Sequence, residues 1–114
     1  MNDLAARRER FMKHAQPERL GNLSTNLNRI AAYVEAGSSA TEILYFITES
    51  KHFAEWSALE ADFETQVQLC EMQRAMAKWT IHWQETWNDH DQRAFMNAQA
   101  QAMSHTLLQR AGLI

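Results

Sequence analysis

Apolar residues recur at helical intervals along most of this chain. Leu20, Leu23, Leu27, Ile30 and Val34 fall three or four positions apart, which places them on one face of an α-helix. Ala31 widens that face, and Asn22, Asn26 and Arg29 fall on the other side. Gln16-Pro17 stands ahead of the pattern, and proline suits the first helical position because its missing N–H has no partner there anyway. Gly37 follows the last apolar residue and can take the left-handed backbone that ends a helix. Ser39-Ala40-Thr41-Glu42 then has the form of a capping box, in which the serine oxygen accepts from an unpaired backbone N–H. It predicts a second helix carrying Ile43, Leu44, Phe46, Ile47, Phe53, Ala54 and Trp56. Residues 43–47 alone would suit a strand, but the cap before them and the polar Glu49-Ser50-Lys51-His52 after them favour helix.

Ser57-Ala58-Leu59-Glu60 repeats the capping pattern. It predicts a break after Trp56 and a long helix running to about Trp87. Leu69, Met72, Met76, Trp79 and Trp83 lie along one side of that helix, with Phe63, Val67 and Cys70 on an adjacent side. Two apolar stripes predict two neighbours and a central position. Asp89 is the expected cap of a last helix with a thinner face of Phe95, Met96, Ala98, Ala102, Met103 and Leu107, stopped by Gly112. A short helix over 3–14, with Leu4, Phe11 and Met12, precedes them all. The expected fold is all-α, an antiparallel four-helix bundle with a short extra N-terminal helix. Residues 1–16 form a basic N-terminal helix or arm, and 17–114 a single bundle domain.

Composition narrows the picture. Three glycines and one proline in 114 residues are too few for the many turns of an all-β fold. A net charge of -3 supplies no general basic field for nucleic acid. Arg7, Arg8, Arg10 and Lys13 against Asp3 and Glu9 make the first 14 residues +2, leaving -5 for the remainder. Cys70 is the only cysteine, so no intrachain disulfide forms, which suits a reducing cytoplasm. The longest apolar runs, 30–34 and 43–47, fall far short of the ~20 residues of a membrane-spanning helix. No apolar stretch follows the N-terminal charges, so no secretory signal is expected.

Candidate chemistry is sparse. Glu49 and His52 form one Glu-x-x-His step, whereas di-metal bundles use two such steps and two further glutamates. His82, between Trp79, Ile81 and Trp83, could serve as a haem axial ligand, but a lone histidine beside aromatics is more often a packed or partly exposed residue. Three isolated glycines build no phosphate-cradling loop, and no Gly-x-Ser-x-Gly elbow occurs. Cys70 has apolar neighbours and no evident activating base, so a buried thiol is expected. Trp79, Trp83 and Trp87 recur every four residues and share a helix face. They pack a core or, joined by Trp56, make an apolar patch of the kind found at protein interfaces. The sequence thus points to a non-enzymatic helical protein-interaction module, a homodimer or accessory subunit, with Trp56, Trp79, Trp83 and Trp87 as contact residues and no cofactor. The alternative is a bundle holding a metal, haem or other prosthetic group through Glu49, His52 or His82.

Glu49-Ser50-Lys51-x-Phe53-x-Glu55-Trp56, the Gln73…Trp79…Trp83…Trp87 stretch and the ending Ser104…Leu108…Ala111-Gly112-Leu113 together resemble small all-helical proteins of cyanobacteria. The resemblance covers most of the chain from Leu20 onward. It implies a bacterial cytoplasmic setting and carries no assigned chemistry or functional residue. Some members have proline just after the first tryptophan segment. Here Ser57-Ala58-Leu59 stands in that place, so the helix break rests on capping.

Overall fold

The computed structural model describes residues 3–114, and Met1 and Asn2 of the expected arm 1–16 lie outside the described residues. Those residues are all-helical: α1 Asp3–Met12, α2 Gln16–Ala36, α3 Ala40–Ala58, α4 Phe63–Ile81, α5 Trp83–Asn88 and α6 His90–Arg110. They pack into a body 38 × 37 × 20 Å. Its thin dimension matches two layers of helices, each ~10 Å across.

Local chemistry explains most helix ends. Pro17 sits in the first turn of α2, and Gly37 closes that helix at φ 66°. The Gly37 and Ser38 N–H groups donate to the Val34 and Tyr33 carbonyls, the crossed pair of a left-handed stop. The Ser39 hydroxyl accepts from Glu42 N–H at the start of α3. Asp89 caps α6 by accepting from the Asp91 and Gln92 N–H groups, and Gly112 ends it at φ 74°.

The centre of the molecule is α2. Leu20, Leu23, Leu27, Ile30, Ala31 and Val34 are all buried, and α2 packs along both α3 and α6. Small residues let α6 come close: Ala31 and Ser24 on α2, Ala100 and Ser104 on α6, all buried. The Ser24 hydroxyl lies 2.6 Å from the Ser104 hydroxyl and also donates to the Ser104 carbonyl. Asn97 of α6 donates to the Ala31 carbonyl at 2.6 Å. Asn26, expected on the polar side, is buried because its amide donates to Glu49 on α3.

The second half departs from the sequence-based expectation in five ways. Ser57 does not cap a helix. It is buried inside α3, its carbonyl accepts from the Gln16 side chain, and the true cap of the next helix is Asp62. The expected long helix to Trp87 is split at His82 into α4 and α5, and it is not central. It lies along α3 and only grazes α6, so its second stripe has no neighbour. Cys70, on that stripe, is exposed rather than buried. On α6 the buried set is Met96, Ala100, Ser104 and Leu107, whereas Phe95 is 66% exposed. The close approach to α2 selects the small-residue face of α6 over the one bearing its phenylalanine.

Candidate interaction surface

Of the four tryptophans expected as contact residues, three are buried. Trp79 lies in the main core and donates its indole N–H to Gln99 at 2.8 Å. Trp83 is buried beside it in sequence and stacks on half-buried Trp87 at 5.3 Å between ring centres; the Arg93 guanidinium covers the Trp87 ring. Trp56 is buried elsewhere, against Phe11 of α1 and His52 of its own helix. Phe11 also stacks on Phe53 at 4.3 Å, so α1 is docked on α3 through an aromatic cluster rather than standing free.

The candidate ligating residues are engaged individually. Glu49 accepts from Arg7 at 2.7 Å, Asn26 at 2.9 Å and Tyr45 at 3.1 Å, joining α1, α2 and α3. His52 lies over Trp56. His82 is exposed at the α4–α5 break, its ring nitrogen 3.1 Å from Glu85. Among the described residues, no three His, Cys, Asp or Glu side chains gather as a metal site requires.

The surface feature that stands out is on α4. Phe63 is 77% exposed, Ile81 is 75% exposed, and Val67 and Cys70 are open to solvent between them. With Arg74 and half-buried Ala77, these residues alternate four and three positions apart. Residues so spaced share one face of the helix, the spacing found along the seams of paired helices. The opposite face of α4, with Leu69, Met72, Met76 and Trp79, is in the core. One flank is held on α3 by Gln66 and Gln73, whose side chains donate to the Ala58 and Lys51 carbonyls. The other flank borders an open cleft of about 640 Å³ between α4, α5 and α6, with Trp79, His82, Phe95 and Met96 among its lining residues. Spacing alone singled out Phe63, Val67 and Cys70 of this set but not Arg74, Ala77 or Ile81, and no sequence signal told which of the two stripes would face outward.

Two polar devices orient this helix. Arg19, almost fully buried on α2, donates to Glu60 at 2.6 Å and to the Met12 carbonyl at 2.7 Å. It thereby ties the α3–α4 connection to the end of α1. Asp62 caps α4 by accepting from Thr65 N–H at 2.8 Å. That backbone bond, then the Thr65 hydroxyl and the charge of Arg110, hold its carboxyl below the ordinary value of 3.8. A depressed acid stabilises the fold above its unfolded value and ceases to do so as pH falls through the folded one. Asp62→Ala is therefore expected to lower the melting temperature at neutral pH, with the gap from wild type closing as pH falls below 3.8. Thermal melts followed by circular dichroism across that range check it; a constant gap would show that the carboxylate charge plays no part in the cap.

No family model, curated protein or solved structure matches this chain. Among the described residues, no helix is long and apolar enough to cross a membrane.

Proposed function

We propose that this chain is a non-enzymatic protein-interaction module, an open antiparallel bundle of four long helices that presents the outer face of α4 to another protein as a homodimer or accessory subunit. The observation that carries this reading is one helix with two apolar stripes, of which only one is buried. Leaving Phe63 and Ile81 in water forgoes roughly 1.5–3 kcal/mol for each side chain that a partner would bury. The short 37–39 and 59–62 connections support antiparallel neighbours. The contact surface in this reading is the α4 seam, with the buried tryptophans Trp56, Trp79 and Trp83 shaping the body behind it and half-buried Trp87 at its edge.

A photoreactive amino acid at Val67, incorporated in cells, is expected to give a discrete crosslinked species, whereas the same residue at exposed Thr25 on α2 gives none. Absence of any product from position 67 would sink the proposal. A second reading, a bundle holding a prosthetic group, draws support from His82 and Trp79 lining one open cleft, a size usual for small-molecule sites. Native mass spectrometry of the same preparation separates the two, since a resident group adds its own mass to the chain.

A further inference from the structure

We infer that the partner on the α4 seam is a second copy of this chain, with the two α4 helices paired antiparallel about a twofold axis near residue 72. This rests on the reading of α4 as an interaction face and adds the identity and direction of what covers it.

The argument is one of register and charge. The seam runs Phe63, Val67, Cys70, Arg74, Ala77, Ile81. It is nearly symmetric end to end: large apolar residues close both ends, and Val67 and Ala77 lie equally far from the middle. Antiparallel pairing sets Phe63 against the partner copy's residue 81, Val67 against its residue 77, and Cys70 against its residue 74. A twofold axis makes each contact occur twice. The flanking positions then decide the direction. On the flank beside the cleft stand Glu64, Glu71 and Lys78, seven apart. In antiparallel pairs, like flanks face each other, so Glu64 meets the partner's residue 78, a lysine, at both ends of the interface, while Glu71 meets its own copy near the axis, a like-charge contact that the Arg74 side chains beside it offset. Glu64 is 76% exposed and its contact with Arg110 is a surface one, so it is reachable. Arg74, the one charge within the seam, comes beside residue 71 of the other copy, a glutamate. The remaining flank, Gln66, Gln73 and Thr80, is uncharged and raises no conflict.

Parallel pairing fails on the same residues. It stacks Arg74 on Arg74 in the middle of the seam, a like-charge contact that only Glu71 of the same helix can offset, and it forms no Glu64–Lys78 pair between copies. It also places Cys70 against Cys70, within disulfide range. In the antiparallel register those two thiols are offset by four residues, about 6 Å along the axis. Added to an interaxial distance of ~8–10 Å, that puts them out of reach.

The test uses the purified full chain. Light scattering at high micromolar concentration is expected to give twice the mass of the 13.2 kDa chain. Phe63→Asp and Ile81→Asp are each expected to return it to the monomer with unchanged circular dichroism, since both side chains are exposed. Glu64→Lys or Lys78→Glu alone is expected to weaken association about tenfold, because each reverses two ion pairs per dimer. The double reversal restores it. In a Cys70→Ser background, Val67→Cys chains mixed with Ala77→Cys chains are expected to crosslink to one another and not to themselves. A wild-type monomer would overturn the second-copy inference while leaving the in-cell crosslink from position 67 to judge the interaction face on its own. Self-crosslinking at position 67, or a double reversal no better than the singles, would overturn the antiparallel register. A dimer indifferent to Phe63→Asp and Ile81→Asp would overturn both this inference and the interaction face.

Discussion

Ser104→Leu is expected to lower the free energy of unfolding by about 4 kcal/mol, the largest loss foreseen from a single substitution in this chain. The Ser104 hydroxyl lies 2.6 Å from that of Ser24, and the Ser104 carbonyl accepts from the same Ser24 oxygen at 3.2 Å. The α6 backbone is thus within hydrogen-bond range of an α2 side chain, and a leucine side chain has no room between them. Overpacking of this kind costs ~1–3 kcal/mol. Driving the helices apart also strands the Ser24 hydroxyl, which is 1% exposed, at a further ~1–3 kcal/mol. Ser104→Ala removes one hydrogen bond without adding volume and is expected to cost about 1 kcal/mol. Urea unfolding of the three proteins at equal concentration measures the series. A leucine variant no less stable than the alanine one would mean that α6 can slide on α2, and the close approach would lose its role.

Leu27→Ala comes second, at about 3 kcal/mol. Leu27 is fully buried near the middle of α2, the helix that both α3 and α6 cover. Truncation removes apolar contacts and leaves a cavity that two flanking helices cannot close together. For a domain of this size the melting temperature is expected to fall by about 12 °C. Leu59→Ala is the matched control: the same atoms are deleted, but Leu59 is 60% exposed in the α3–α4 connection, and a change within ~0.5 kcal/mol is expected. Similar losses at both positions would show that α2 is not the axis of the core.

These two substitutions fall on residues whose importance was unequally legible. Leu27 belongs to the regular seam from Leu20 to Val34, and its burial follows from spacing alone. Ser104 carries no such signal, because a serine in a helix reads as polar and surface-facing. It is buried because α2 offers Ser24 opposite it, eighty positions away in sequence. Asn26 is the same case, drawn inward by Glu49. The tryptophan series repeats the lesson for the surface. A four-residue recurrence places Trp79, Trp83 and Trp87 on one face, but only packing shows that Trp79 and Trp83 face the core and that Trp87 is half-covered beneath Arg93.

What the sequence by itself determined depends on neighbours within one or two helical turns, although the local cap at Asp62 escaped it. The all-helical class, the stops at Gly37 and Gly112, the caps at Ser39 and Asp89 and the buried face of α2 belong there. Backbone conformation, capping and periodic patterning are all interactions between residues close in the chain. The tertiary structure alone decided which helix is central, that Ser57 is interior and Asp62 the cap, and which apolar stripe of α4 meets water. The reason is that the tendency of apolar surface to leave water has no direction: either stripe of α4 could be covered, by any neighbour. The choice falls to shape, here the small residues that seat α6 against α2 and leave α4 beside α3 with Phe63, Val67 and Ile81 turned outward.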